Sequence, residues 1–247
     1  MRTYFKYSLF FFVLFLTACK THYIKQKENF SHVELKSQIE NVKAKHLTLP
    51  YKLKIDSFVE RVVAISSEEL TRDGVQTNLG NFMCDAVKHV CKQQLTSDTI
   101  NFYFFNRGGL RTNLPKGEIK VKNIYEVMPF ENEMVLLTLK GEDIIKGIPT
   151  ILSKNHPFLG LKIIVKNKKP TAFLSNNDSI ISSKLYHIIT SDFIANGGDN
   201  FDFLMNPIQR KNIPLKIRDA MIEYGDYLTK SGKQINPYKD DRLQFSE

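Results

Sequence analysis

The sequence predicts a single domain of mixed α and β structure, and three observations carry that reading. Two stretches, Leu79–Val90 and Ile217–Leu228, repeat apolar residues with the period of a helix that buries one stripe. Short apolar runs of strand length, Ile100–Phe105 and Leu185–Ile189, are followed by a paired glycine three and eight residues on. The chain beyond a polar leader, about 200 residues, is long enough to bury one sizeable core.

The first residues read as export machinery. Arg2 and Lys6 form a short positive region, and Tyr7 to Leu16 is almost entirely apolar but too short to span a bilayer, so residues 1–18 are expected to be a signal peptide. Leu16-Thr17-Ala18-Cys19 resembles the bacterial lipobox, which implies lipidation at Cys19 and an exported protein anchored to a bacterial membrane, the outer membrane by expectation, on its periplasmic side or at the cell surface. The formal charge of +9 includes the two cations of the leader, so the remainder stays mildly basic. Its Lys and Arg are spread along the chain, with Lys166-Asn167-Lys168-Lys169 as a local cluster, and no nucleic-acid motif accompanies them.

Residues 19–46, rich in Lys, Glu, Gln and His, read as a tether, partly helical, with the domain over 47–247. Leu53, Val59, Val62 and Val63 offer apolar surface to start that domain, with a strand over Val62–Ser66. In the first helix, Leu79, Phe82, Met83, Ala86, Val87 and Val90 share a face, and Thr77 or Asn78 can cap its start. Cys84 and Cys91 lie two helical turns apart, ~10.5 Å along the axis, beyond the ~7 Å that a disulfide spans between Cα atoms. Buried free thiols are expected, and no zinc-type Cys/His spacing occurs.

Ile100–Phe105 reads as a buried strand ending in Asn106-Arg107-Gly108-Gly109-Leu110-Arg111. From these residues alone, Arg111 is either a solvated turn arginine or an anion contact offering five fixed donors. Ile119–Val121 reads as a small strand. Pro129 should keep a helix from running through Met128 to Phe130, which leaves Phe130 as a loop aromatic or a packing residue. Glu133–Leu139 is a strand and Gly141–Ile148 a short helix that Pro149 should end or kink. Leu161–Val165 is a strand, and Lys166–Asp178 a hairpin or surface loop. After Leu185–Ile189, the segment Phe193-Ile194-Ala195-Asn196-Gly197-Gly198-Asp199-Asn200 is a surface turn or a binding turn: the glycines allow close approach, Asp199 is an acceptor suited to paired hydroxyls, and Phe193 is a flat stacking surface. Pro214 marks a first helical turn, Ile217, Met221, Tyr224 and Leu228 a stripe, and Gly232 its stop.

Five pieces stand in a fixed order: Thr77-Asn78-Leu79-Gly80-Asn81, Asn106-Arg107-Gly108-Gly109-Leu110-Arg111, Met128-Pro129-Phe130, Phe193 to Asp199, and Ile217-Arg218-Asp219-Ala220-Met221. Together they resemble the C-terminal, substrate-binding domain of the 5′-nucleotidase family, from about residue 50 to Leu243. The resemblance implies an α+β domain with a mixed β-sheet and packed helices that binds a nucleotide or nucleoside. Phe130 and Phe193 would sandwich the base, and Asp199, on the turn made by Gly197 and Gly198, would accept from the ribose hydroxyls. Asn106 would contact the base side, and Arg111 would reach the ribose–phosphate end. The family also carries arginines before its Thr-Asn-x-Gly motif, and Arg72 is the candidate here. Arg107 and Asn200 stand where glycine or small residues are more usual.

In full-length family members a metallophosphatase domain precedes this one and holds two metal ions that activate water. The catalytic centre lies between the domains, and rotation of the C-terminal domain brings substrate to the metals. Residues 19–49 leave no room for that domain, and the histidines (His22, His32, His46, His89, His156, His187) are scattered without its ligand patterns. A Gly-x-Ser-x-Gly elbow and a Walker loop are also absent from the sequence. No catalytic residue, metal site or cofactor is therefore expected in this chain. The expectation is a specificity chain working with a separately encoded metallophosphatase that carries two divalent ions. The alternative is a lipoprotein that captures nucleosides or nucleotides without catalysis.

Overall fold

The computed structural model describes residues 42–95 and 100–246. The expected signal peptide, the lipidation position Cys19 and the tether up to residue 41 lie outside the described residues. The chain divides into two units, Met1–Leu47 and Thr48–Glu247, and the domain described below is the second. Among the described residues no helix is long and apolar enough to cross a membrane.

The opening helix α1, Val42–Val59, contains Pro50 and buries none of its residues. Leu53 therefore does not start the core as expected: it is 60% exposed, whereas Val63, on strand β1 (Val62–Ser66), is buried. The apolar residues from Leu47 to Ile55 recur at every second position, a spacing that winds them around a helix and gives it no single face to bury.

Helix α2 spans Asn78–Gln94 and buries the predicted stripe. The cap is Thr77, whose hydroxyl accepts from the Gly80 amide at 3.0 Å. Asn78 instead accepts from the Thr71 amide at 2.7 Å, pinning the preceding loop. Cys84 and Cys91 are free and buried on this helix, and burial pushes both thiols up to about 12.

The centre is a five-stranded sheet. Its strands are β2 (Phe102–Phe104), β4 (Glu133–Lys140), β5 (Phe158–Leu159), β8 (Leu185–Ser191) and β9 (Gln209–Lys216), in the order β5-β2-β8-β4-β9. β2 runs parallel to β8, and β4 is antiparallel to both β8 and β9. Successive side chains point to opposite faces, so the aromatic run divides. Tyr103, Phe105, Met134, Leu136 and Ile189 join one core with α2 and the late helix α6 (Ile217–Lys230). Phe102, Phe104, Val135, Leu137 and Ile188 join a second core with α4 (Gly141–Ser153). A near-continuous apolar strand signal is what a sheet covered on both faces requires.

β1 pairs with β3 (Gly117–Lys120), and α3 (Val121–Val127) follows at once, so Val121 starts a helix where the sequence suggested the end of a strand. β6 (Leu161–Lys166) and β7 (Lys169–Leu174) form the hairpin anticipated over Lys166–Asp178, with Asn167 and Lys168 both at positive φ, and β10 (Leu243–Ser246) lies parallel to β6.

Both prolines depart from expectation. Pro149 neither ends nor visibly breaks α4, which continues to Ser153: Ile148 and Ile151 are buried on either side of it, while Pro149 itself faces solvent. Pro214 sits in β9, and the helix begins only at Ile217. β9 is the edge of the sheet, and its pairing with β4 slips between Glu133 and Met134 just where Pro214 and Leu215 fall. A missing N–H is tolerated at such an edge bulge.

Candidate functional site

The sheet topology brings three loops to one end. Because β2 and β8 are parallel, the Asn106–Arg111 turn and the Asp192–Asp199 segment leave their strands at the same edge. Because β4 runs the other way, with Met134 opposite Ser191, the loop entering it (Met128–Asn132) arrives at that edge too. Residues far apart in sequence thus face one hollow of about 210 Å³, lined by Asn106, Gly108, Gly109, Arg111, Phe130, Asn132, Phe193 and Asp199. A larger hollow of about 730 Å³ lies beside Leu152, Val165 and Phe245 and includes none of the predicted site residues.

Asn106 is buried and its side-chain amide donates to Asp199 Oδ2 at 2.7 Å, joining the two Gly-Gly turns. Lys154 Nζ stands 3.9 Å from the other carboxylate oxygen. Asp199 occupies the left-handed region at φ 55, and Gly197 precedes it at φ 87. That local geometry swings the carboxylate back towards Asn106.

The two candidate rings are both accessible: Phe130 is 41% and Phe193 45% exposed. For an apolar ring on a well-packed domain, exposure beside a hollow suits a stacking surface. Phe193 sits on a short helix, α5 (Asp192–Ala195), whose start Ser191 caps. A Cβ at Gly198 would come within 2.6 Å of the Phe193 ring, so only glycine lets the ring lie in this position. Arg111 places its guanidinium carbon 5.7 Å from the Phe130 ring centre and donates to the Gly108 carbonyl at 3.3 Å.

The loop carrying Phe130 is braced from below. Arg218, 3% exposed, lies 3.9 Å over the Tyr125 ring and donates to Glu131 at 2.5 Å. Lys216 pairs with the same carboxylate. Lys216 and Arg218 together hold the Glu131 carboxyl down at about 2.

Of the predicted residues, Asn106, Arg111, Phe130, Phe193, Gly198 and Asp199 converge. Gly198 and Gly197 do so as shapers of the turn, outside the lining itself. Arg72 is not part of the lining and is engaged: its guanidinium donates to the Arg111 carbonyl at 2.7 Å, and its Nε is 3.7 Å from Asp73. Arg107 pairs with the same Asp73 carboxylate. Sequence reading missed Asn132, which follows Phe130 in the same loop, and Lys154 and His156, whose link to the site has no local signature. Among the described residues no group of three or more His, Cys, Asp or Glu is placed to hold a metal ion.

The fold is an α+β domain that gathers two exposed rings, a carboxylate and an arginine around one hollow. The chain belongs to the family described as 5′-nucleotidase, C-terminal domain, whose model matches residues 61–206. Among curated proteins it is 24% identical to an apyrase of Tabanus yao over 203 residues, covering 67% of this chain and 35% of that protein. It is 27% identical to Protein UshA of Escherichia coli over 138 residues, 53% of this chain and 24% of UshA. Among solved structures it resembles the 5′-nucleotidase precursor of Thermus thermophilus, with TM-score 0.69 and 23% identity over 83% of this chain and 43% of that one. The NAD nucleotidase of Haemophilus influenzae gives TM-score 0.64 at 14% identity, over 83% of this chain and 41% of that one. The fold is thus that of the family, and the chain spans well under half the length of these relatives.

Proposed function

We propose that this chain is the nucleotide-binding, specificity half of a split 5′-nucleotidase. The observation that carries the reading is the convergence of Asn106, Arg111, Phe130, Phe193 and Asp199 on one hollow. The base would stack between Phe130 and Phe193, a mode tolerant of base identity because every base has a π face. The ribose hydroxyls would donate to Asp199, whose carboxylate Asn106 already orients. Arg111, on the same wall as Phe130, would meet the ribose–phosphate end. A separately encoded metallophosphatase would supply two divalent ions and the attacking water, and the domain rotation of two-domain relatives would become motion across an interface between chains. Lipid on Cys19 would hold the exported chain at a bacterial membrane, the outer membrane on its periplasmic side or at the cell surface.

A second reading, nucleoside capture without catalysis, is favoured by one observation: Arg72, which donates to the Arg111 carbonyl, and Arg107 already pair with Asp73. Calorimetric titration of the full chain in detergent with AMP and with adenosine, beside a phosphate-release assay with and without divalent metal, tests both. Tighter binding of AMP without release supports the specificity chain. Equal affinity for the two ligands supports nucleoside capture. Metal-dependent release by this chain alone overturns the proposal.

A further inference from the structure

Among the described residues His156 is the one buried histidine, 3% exposed, and it contacts the first Gly-Gly turn and the segment that follows the second. Its Nδ1 accepts the backbone N–H of Arg107 at 3.0 Å, the residue directly after Asn106. Its ring lies 4.7 Å from the ring of Phe201, two residues after Asp199. Its own backbone is fixed at the end of α4 by a 2.9 Å bond from its N–H to the Ile151 carbonyl. Two residues earlier, Lys154 reaches Asp199.

This arrangement demands one chemical form. Nδ1 must be unprotonated to accept from an amide, so the proton of the neutral ring resides on Nε2, which is buried with no hydrogen-bond partner. Burial favours that neutral ring, as do Lys154 and Arg107, while Asp199 opposes them. A buried N–H without a partner is costly. The contact with Arg107 is kept despite that cost, and Arg107 neighbours the residue that meets Asp199.

We propose that His156 is a positioning residue of the binding site: it sets the Arg107 backbone from below, at the register in which Asn106 reaches Asp199. The proposal rests on reading the hollow as a nucleoside site. His156 touches no ligand itself. It acts through the turn, and Phe201 lets it act on the second turn at the same time.

A double-mutant cycle on the full chain tests this, with adenosine as the probe. His156→Leu keeps an apolar side chain of similar bulk but offers no acceptor, and His156→Asn returns an acceptor oxygen near the Nδ1 position. His156→Leu should weaken adenosine about tenfold in the native background but less than about twofold when Asp199→Asn is already present, the non-additivity expected of residues acting on one contact. His156→Asn should recover most of the loss. Equal losses in the two backgrounds would reduce His156 to general packing, and unchanged affinity in His156→Leu would remove it from the site; either result overturns the proposal. Should the native chain bind no adenosine, the nucleoside reading fails, and amide hydrogen exchange still decides the inference. Faster exchange at Arg107 in His156→Leu, with protection restored in His156→Asn, supports His156 as the holder of the turn. Unaltered exchange overturns it.

Discussion

Asn106 and Asp199, separated by 93 positions, meet through a 2.7 Å hydrogen bond in which the amide donates to one carboxylate oxygen. The bond does two things at once. It ties the turn after β2 to the turn after β8, and it orients a carboxylate that lines the hollow. Asp199 is held at a positive φ for this purpose, a conformation that costs a non-glycine residue on the order of 1 kcal/mol or more.

That geometry gives the first prediction. Asp199→Asn keeps the shape but replaces an anionic acceptor by an amide. It should weaken adenosine by about 1–3 kcal/mol, the cost of losing a charged hydrogen-bond partner, and leave 2′,3′-dideoxyadenosine nearly unaffected. Calorimetry with both ligands decides it. Equal losses would take Asp199 away from the sugar.

Phe193→Ala tests the other face of the ligand. Because the ring is 45% exposed, its removal should cost little fold stability. Base stacking should fall by ~1–3 kcal/mol. Unchanged affinity for nucleosides, with an unaltered melting transition, would remove Phe193 from the site.

Gly198→Ala should produce a related loss by a different route. A Cβ there would meet the Phe193 ring carbons at 2.6 Å and the Phe193 carbonyl oxygen at 2.7 Å. The ring can swing aside, but the carbonyl is backbone, so the α5 turn must shift as well. Affinity should drop at least as far as in Phe193→Ala, together with a destabilisation of about 1–3 kcal/mol. Denaturant titration beside ligand titration checks both halves.

Taken singly, Arg111, Phe130 and the Phe193–Asp199 turn also read as turn, packing or surface residues, and it was their fixed order, resembling the 5′-nucleotidase family, that grouped them before the fold was known. The pieces bearing Asn106, Arg111, Phe130, Phe193 and Asp199 each have local chemistry that marks them, a paired glycine or a loop aromatic after proline. The two strands that carry the Gly-Gly turns are short apolar runs whose strand character is plain. What sequence could not supply was the parallel pairing of β2 with β8, which makes those turns neighbours. Pro149 and Pro214 misled because rules for a single proline take no account of the packing around it. Buried isoleucines carry α4 through one proline, and an edge bulge accommodates the other. His156 was invisible for a further reason: its partner is a backbone amide 49 positions away, and a backbone amide carries no sequence signature.

The Pro149 exception is itself testable. Alanine at this exposed helical position would restore the N–H that can bond to the Ile145 carbonyl and would remove the ring from the preceding turn. Pro149→Ala should therefore stabilise the domain by about 1–3 kcal/mol, read as a raised urea midpoint with an unchanged slope. A lowered midpoint would mean that the pyrrolidine ring packs productively where it now stands.

The buried His156 should also leave a mark on the pH dependence of stability. Burial lowers its pKa to about 4, with Lys154 and Arg107 acting in the same direction and Asp199 against them. The ordinary value for histidine, retained in the unfolded chain, is about 6.5. Between those two values the unfolded chain binds a proton that the folded chain refuses, so stability must fall as pH is lowered from about 6.5 towards 4 and must be fully present above that window. Carboxylates titrate over part of the same range, so the native chain alone would not isolate the effect. The comparison with His156→Asn does: the variant has no imidazole to protonate, and its stability should decline less steeply between pH 6.5 and 4.5, by about 1–3 kcal/mol over the interval. Urea unfolding at three pH values reads this directly. Parallel slopes for the two proteins would mean that His156 takes up its proton equally well in the folded state, and the neutral ring that accepts from Arg107 would have to be abandoned.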